Sequence, residues 1–227
     1  SAMAEKSKSI RELISLYEEY FNCFVGFGEK LWNTYWIVET ASKDFEKLIE
    51  QKVGEKNAAQ AIRAYSHPSR KAGPLLIAEF FASEKNEGKR IEFIEKKFPY
   101  LASSEPFSKP LDREKAVEYA NSLGGTTREE TKDGFGLENN RIIKVYQECL
   151  YVKDLRDDYR RQGFYYARPL LEKLAEKLGI GLTDLKYLLS SELEEEKTVL
   201  EKKIAERKIA YVATLSNNGL SVINGEE

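Results

Sequence analysis

The chain has 227 residues, of which 41% are hydrophobic and 33% are charged, with 36 basic and 38 acidic residues and a net charge of −2. A chain of this length buries a sizeable core, and we expect one domain, mainly α-helical because helix-forming residues are abundant. Both signs of charge are spread along the chain, which argues against nucleic acid or an anionic membrane as a partner.

Two helices are predicted in the first fifty residues, where apolar residues recur at spacings of three and four. The first begins at Ile10 and ends near Gly26, and the second covers residues 31–52, with Trp32 and Trp36 one turn apart on one face. Gly28 completes a Gly-x-Gly pair that follows no strand, so the pair does not predict a phosphate-binding loop. We interpret it as a turn or a close helix crossing.

His67, the only histidine, follows a third predicted helix at residues 57–65. A phosphorylated or proton-transferring histidine is one interpretation. The sequence Tyr-Ser-His-Pro-Ser-Arg is polar and ends a helix, however, because the residue before proline avoids the α conformation. This context favours a loop residue without a catalytic role.

The middle of the chain alternates short helices with breaks. Residues 75–81 are almost wholly apolar, which predicts a helix buried nearly all round. Asn86 and Gly88 separate it from a helix that Pro99 ends, and residues 98–110 form a long connection. A further helix starts at residue 111 and ends at residues 124–125, and residues 126–136 are expected to be the most mobile segment.

Residues 137–195 carry the clearest helical pattern. Pro169 has no N–H for the carbonyl of Tyr165, which predicts a kink between Gly163 and Pro169. Gly179 is expected to end the helix in a left-handed cap, and Thr183 to cap the next helix. Residues recurring on one face are Ile142, Tyr146, Cys149, Val152, Leu155, Tyr159, Leu170, Leu171, Leu174 and Leu178.

The last forty residues change period. Ser191 and Glu194 match a capping box ahead of a short helix with Leu193, Leu200 and Ile204 inside. Residues 207–215 and 220–223 are rich in β-branched and aromatic residues and are joined through Asn218-Gly219, which predicts a hairpin. The predicted fold is a mainly α multi-helix bundle with a C-terminal β-hairpin, divided into a helical domain at residues 4–206 and a hairpin at 207–227.

Candidate chemistry is sparse. One histidine and the distant pair Cys23 and Cys149 do not make a zinc site, a His-based triad or a Cys-His dyad, and both cysteines lie in apolar patterns that suggest burial in a reducing cytoplasm. Asp154, Asp157 and Asp158 are either Mg²⁺ ligands or carboxylates on a solvated helix. We therefore expect no catalytic residue, no metal site and no cofactor-binding residue.

A band of charges on the long helix offers a ligand-binding hypothesis. Lys153 with Asp157, and Asp157 with Arg161, are expected ion pairs one turn apart. Arg156 and Arg160 are also one turn apart, and two adjacent guanidinium groups can bind a phosphate or carboxylate. The alternative is that the band is simply a solvated helix face. Aromatic residues of the helices are expected to be mostly core, with a minority lining a groove. The predicted ligand-binding residues are Arg156, Tyr159, Arg160 and Arg168.

The C-terminal half resembles a known region. Arg-Pro-Leu-Leu-Glu-x-Leu-Ala-x-x-Leu-Gly-Ile from Arg168, Leu-x-Asp-Leu-x-Tyr-Leu from Leu182, Glu-Arg-Lys-x-Ala-Tyr-Val from Glu206 and the final Gly-Glu-Glu are similar to the helical segment that precedes the swivelling phosphohistidine domain in phosphoenolpyruvate-utilising enzymes. Phosphoenolpyruvate synthase (pyruvate, water dikinase) and rifampicin phosphotransferase are examples. The resemblance covers residues 137–227 and includes none of the family's catalytic signatures.

The resemblance implies a non-catalytic helical domain of a dikinase-type phosphotransferase, inactive alone. It would position the swivelling domain and bind the phosphoryl acceptor. Its partners would be the parent's ATP-grasp and phosphohistidine domains and a small-molecule acceptor, while ATP and Mg²⁺ would be cofactors of the parent only. Separately, the predicted hairpin has apolar side chains on both faces and a free edge, where we expect the missing domain or a second copy of the chain to dock. The alternative is a free-standing helical scaffold without catalytic activity. A reading frame that continues into a Gly-rich His motif would distinguish the two.

Overall fold

The structure is a computed structural model, and it describes residues 9–123, 134–216 and 219–224. Within these ranges the chain is mainly α-helical and ends in a two-stranded antiparallel sheet, which confirms the predicted fold class. The α-helices are α1 (Ile10–Val53), α2 (Glu55–Tyr65), α3 (Gly73–Ser83), α4 (Glu87–Lys97), α5 (Arg113–Leu123), α6 (Arg141–Leu178) and α7 (Lys197–Ile209), with 3-10 helices at Leu182–Tyr187 and Ser190–Glu192 and strands β1 (Tyr211–Ser216) and β2 (Gly219–Asn224).

Residue contacts divide the chain into two compact units. Unit 1 takes its described residues from 9–24, 166–216 and 219–224, and unit 2 is Val25–Tyr165. The long helices α1 and α6 contribute residues to both units. The predicted domain boundary between residues 206 and 207 was placed where the sequence pattern changes from helical to strand-like, which is a different criterion from residue contacts. This boundary stays a prediction.

Helix α1 is one helix of 44 residues, so the predicted end near Gly26 is wrong. Gly26 and Gly28 both lie inside it, and a Cβ at either would meet no described atom within 4 Å, which also excludes the close crossing. An interior glycine costs about 1 kcal/mol relative to alanine, and the buried residues near both ends of α1 outweigh that cost.

Unit 2 contains two apolar clusters. The first joins α3, α4 and α5, and its fully buried members include Ile77 and Ile94. The second joins the C-terminal half of α1 with α2 and the start of α6, where Phe45 stacks on Tyr146 with ring centroids 4.1 Å apart. Helix α3 buries only part of its surface, since Leu76 is exposed. The prediction of burial all round is therefore wrong.

Local capping signals explain where several helices begin. The side chain of Asn86 accepts a hydrogen bond from the N–H of Lys89 at 3.0 Å, and that of Asp112 accepts from the N–H of Lys115 at 2.9 Å. Each satisfies a backbone donor that the first turn leaves unpaired. The predicted end at residues 124–125, and most of the segment expected to be mobile, lie outside the described residues.

Helix α6 continues through Pro169 without interruption. Its end is as predicted, because Gly179 has a φ of 67° and the N–H groups of Gly179 and Ile180 donate to the carbonyls of Glu176 and Ala175. These two bonds form a Schellman motif. The predicted cap at Thr183 is wrong, because the following 3-10 helix is capped at Gly181 without a side-chain hydrogen bond.

Unit 1 ends in α7 and the hairpin. Arg207 belongs to α7, and β1 begins only at Tyr211, with Val212 opposite Ile223. The predicted capping box is also displaced, since the N–H of Leu189 donates to the carboxylate of Glu192. Residues 217–218 lie outside the described residues, and with them Asn218 of the predicted turn. Buried apolar residues of this unit include Leu13, Ile14, Leu171, Leu174, Leu185, Leu193, Leu200 and Ile204.

Candidate functional site

The band of charges on α6 lies in unit 2 and combines one exposed aromatic ring with partly buried cations. Tyr159 exposes more than half of its surface, whereas Arg156 and Arg160 are half-buried. Arg156 and Arg160 are four residues apart on a helix, which puts them on one face with Cβ atoms about 6 Å apart. The structure therefore brings these three predicted residues to one stretch of surface.

Arg156 already has a carboxylate partner. Its Nε and Nη2 both donate to Asp157 Oδ1 at 3.4 Å. Among the described residues, Asp157 makes this pair in place of the predicted ion pairs with Lys153 and Arg161. The side chain of Arg156 is only 14% exposed, so its charge is largely balanced in place.

Asp158 has a different role from its two acidic neighbours, Asp154 and Asp157. It is buried, and its carboxylate accepts the backbone N–H of Gly73, the first residue of α3. Burial raises the pKa of Asp158 and the neighbouring carboxylates raise it further, while Arg161 and the Gly73 N–H act in the opposite direction. Asp158 thus satisfies a helix N-terminus, which the sequence did not reveal.

Arg160 and Arg161 each keep a buried donor without a partner. The Nε atom of each guanidinium is inaccessible and makes no hydrogen bond to any described residue. A guanidinium presents five donors in a planar fork that matches a carboxylate or phosphate. Because both Nε atoms are inaccessible, they do not by themselves make a binding site for an anion from solvent.

Arg168, the fourth predicted ligand-binding residue, belongs to unit 1. Its Nε donates to Glu172 at 2.7 Å, one turn further along α6, and its side chain is only 17% exposed. This ion pair compensates the charge within the helix. Ligand binding by Arg168 stays a prediction.

The histidine and the two cysteines singled out from the sequence differ in their exposure. His67 is exposed between α2 and α3, where its Nε2 is 3.0 Å from Nε2 of Gln147. Both cysteines are free thiols. Cys149 is buried, and burial raises the pKa of its thiol, but Cys23 is exposed, contrary to expectation.

The expectation that most helical aromatic residues belong to the core is wrong. Eight aromatic residues lie on the predicted helices, namely Tyr17, Tyr20, Trp32, Tyr35, Trp36, Tyr159, Tyr165 and Tyr166. None of them is buried, and all but Tyr17, Tyr20 and Tyr165 are exposed. Amphipathic spacing identified their helices correctly. It did not reveal that the aromatic face of α1 points away from the core.

Unit 1 contains an open cleft of about 370 Å³ that no sequence pattern indicated. Its floor is apolar and includes Leu178 and Leu200, and its rim carries charges of both signs. Arg11 and Glu194 on this rim pair with each other at 3.4 Å. The remaining lining residues are Ile10, Lys177, Leu193, Glu195 and Lys197.

The described residues were also searched for a metal site and a membrane-spanning helix, and the chain was compared with known proteins. In residues 9–123, 134–216 and 219–224, no group of three or more His, Cys, Asp and Glu residues is arranged to hold a metal ion. The same ranges contain no helix with the length and apolarity needed to cross a membrane. No protein-family model, no curated protein and no solved structure matches this chain.

Proposed function

We propose that the chain is a non-catalytic helical domain of a phosphoenolpyruvate synthase-like phosphotransferase, and that its C-terminal hairpin is the surface on which the swivelling phosphohistidine domain docks. The resemblance of residues 137–227 motivates the family. The apolar surface of the hairpin supports the docking role, and the two proposals stand or fall separately.

The exposed faces of the hairpin are the observation that carries this proposal. Tyr211 and Val212 are successive residues of β1, so their side chains point to opposite faces, and both are exposed. Ile223, opposite Val212, is exposed as well. Neither strand contains a charged residue or a proline, which are the usual means of protecting an edge. A two-stranded sheet is marginal alone, so a further surface would stabilise it.

The hairpin is connected closely to α7, and the last turn of α7 is held by ion pairs. Only Ala210 separates α7 from β1, and Arg207 and Lys208 in the last turn of α7 are held by Glu192 and Asp184. A docked domain would therefore be positioned relative to unit 1 rather than tethered loosely. Positioning is the role that the resemblance implies for this region.

The acceptor of the phosphoryl group is proposed to bind at Arg156, Tyr159 and Arg160. The guanidinium groups of Arg156 and Arg160 on one face and the exposed ring of Tyr159 suit a small molecule that has an anionic group and an apolar or aromatic body. We further propose a cytoplasmic location, which the two free thiols support.

The native reading frame is the first test. Continuation into a Gly-rich motif with a histidine supports the phosphotransferase, whereas a stop at Glu227 would favour the free-standing scaffold. The second test is calorimetric titration of this chain with the separately produced phosphohistidine domain of its parent. We expect binding that Val212→Lys abolishes and that Val199→Lys, which changes another exposed valine, in α7, leaves unchanged. Equal binding by both variants would exclude the hairpin.

A further inference from the structure

Helix α1 presents an apolar stripe to solvent within unit 2. We use the name α1 stripe for Val25, Gly28, Trp32, Tyr35 and Trp36. At about 100° per residue these five positions span roughly 100° of the helix circumference. Trp32 and Trp36 are 63% and 65% exposed, and Val25 and Tyr35 are exposed as well. Isolated surface apolar residues are common, but a contiguous aromatic patch of this kind marks an interaction surface.

The aromatic rings of the α1 stripe form a preformed surface. The Tyr35 ring lies edge-on to Trp32 and to Trp36, with centroid distances of 6.1 and 5.9 Å. Because these rings already support one another, binding would cost little additional side-chain entropy. Tyrosine and tryptophan are also the residue types that dominate protein interfaces.

The spacing of the α1 stripe indicates that its partner is another helix. Val25, Gly28, Trp32 and Tyr35 are separated by three, four and three residues, the repeat of helices that pack along their length. Gly28 makes a notch in this seam, because a Cβ built there would meet no described atom within 4 Å. The seam therefore alternates a gap with large side chains.

We propose that the α1 stripe pairs with the same stripe of a second copy of this chain, running antiparallel about a two-fold axis at Lys30. In this arrangement residues equally far from position 30 on either side face each other. Trp32 of each copy then fills the notch at Gly28 of the other, and Val25 faces Tyr35. Each small-to-large contact occurs twice by symmetry, and this self-complementarity is what identifies a second copy as the partner.

The expected dimer is weak. A buried aromatic side chain covers about 150–250 Å², and the stripe residues still expose about half of theirs, so each copy would bury roughly 400 Å². This is about half of the ~800 Å² per partner of a standard interface. Glu29 flanks the stripe and would lie near its own symmetry mate, which weakens the pair further. Association should therefore depend on concentration.

Sedimentation velocity of the whole chain, from about 5 to about 500 µM, tests the proposal, since a weak interface populates the dimer only at high concentration. We expect a monomer–dimer equilibrium that Trp32→Ala weakens at least about tenfold. Gly28→Leu should abolish the dimer because leucine fills the notch. The variant should remain folded, because leucine is a better helix former than glycine and the site is open.

Two further variants separate the stripe from general effects on the helix. Gly26→Leu makes the same change in the same helix, at an equally open position about 130° from the centre of the stripe, and should leave dimerisation unchanged. Glu29→Gln should tighten the dimer about twofold by removing the like-charge contact. A merely structural role of the stripe would not produce a tighter dimer.

The proposal is overturned if the wild-type chain stays monomeric throughout, or if Trp32→Ala and Gly28→Leu dimerise as well as the wild type. Loss of the dimer in Val212→Lys but not in Gly28→Leu would assign self-association to the hairpin and would also reject the α1 stripe. The α1 stripe and the hairpin proposed to dock the phosphohistidine domain are different elements with different side chains. Either can therefore fail alone.

Discussion

Arg207 and Glu192 form a two-pronged ion pair inside unit 1. Arg207 Nη1 and Nη2 donate to Glu192 Oε2 and Oε1 at 2.6 and 2.7 Å, and both residues are buried. Nη1 also donates to the carbonyl of Tyr187 at 2.6 Å, and the N–H of Leu189 donates to Glu192 at 2.9 Å. The pair thus ties the last turn of α7 to the two 3-10 helices, and Arg207 is four residues before the start of β1.

Removing one partner of this pair should be strongly destabilising. Arg207→Met leaves the Glu192 carboxylate buried with only Lys203 and one backbone N–H, and we expect a loss of about 3 kcal/mol in the free energy of unfolding. Urea unfolding followed by circular dichroism measures it. Lys202→Met is the control, because its ion pair with Glu206 at 3.9 Å is at the surface and should be worth under about 0.5 kcal/mol. Equal losses in both variants would show that the buried pair has no special weight.

The same pair predicts a dependence of stability on pH. Burial acts to raise the pKa of Glu192, but hydrogen bonds from Arg207, the Leu189 N–H and Lys203 outweigh burial and lower this pKa from 4.5 to about 2. A carboxyl with a depressed folded-state pKa contributes stability above its unfolded pKa and loses it as pH falls through the folded value. Between about pH 4.5 and pH 2, the wild type should therefore lose roughly 3 kcal/mol that Glu192→Gln does not lose. Parallel pH profiles of unfolding would contradict this.

Gly73 should not tolerate a side chain. A Cβ there would lie 2.5 Å from both carboxylate oxygens of Asp158, and the φ of 24° is one that residues with side chains rarely adopt. We expect Gly73→Ala to lower the free energy of unfolding by about 1–3 kcal/mol, measured in urea. Gly163→Ala is the matched control, since that position is open inside α6 and alanine should stabilise it by up to about 1 kcal/mol.

The charged form of Asp158 should be less favourable in the folded protein than the neutral form. Its folded-state pKa is raised, so its contribution to stability is present below its unfolded pKa and is lost as pH rises through the folded value. Asp158→Asn keeps an acceptor for the Gly73 N–H without the charge, and it should match or exceed the wild type in stability at pH 7. Asp158→Leu removes the acceptor and should be destabilising by about 1–3 kcal/mol. Thermal unfolding distinguishes them, and a large loss in Asp158→Asn would refute the assignment.

Anionic ligands should bind near Arg160. Chemical-shift mapping with phosphorylated and carboxylated metabolites should give shifts at Arg156, Tyr159 and Arg160, and Arg160→Ala should weaken binding about tenfold or more because a charge-assisted hydrogen bond is lost. Arg63→Ala removes an exposed arginine of α2 and should have no effect. Shifts confined to the N-terminal helices would place the ligand elsewhere.

Local chemistry in the sequence determined much of the fold. The periodicity of apolar residues identified the helices, because the 3.6-residue repeat depends only on which residues share a face. Asn86 starts α4 through its own side chain, and Gly179 forms a left-handed cap because it lacks a Cβ. The pairing of β1 with β2 followed from β-branched residues on both sides of the Asn218-Gly219 sequence.

Whether a glycine or proline ends a helix was not predictable in the same way, because it depends on the balance between a local cost and burial elsewhere in the helix. Gly26, Gly28 and Pro169 each weaken a helix locally, yet α1 and α6 continue through them. Their cost is a property of one turn, whereas the compensation comes from burial of residues several turns away, such as Phe45 in α1 and Ile143 in α6. The local sequence shows the residue that weakens the helix, but it does not show the burial that compensates for it.

Only the tertiary structure decided which polar groups meet and which apolar faces stay in water. Arg207 and Glu192 are fifteen residues apart, and Asp158 meets Gly73 from a different helix, so neither pairing has a signature in local spacing. The same holds for burial. Leu171 and Trp32 both lie on apolar helical stripes, but Leu171 is fully buried while Trp32 is exposed, because burial depends on whether another element packs against that face.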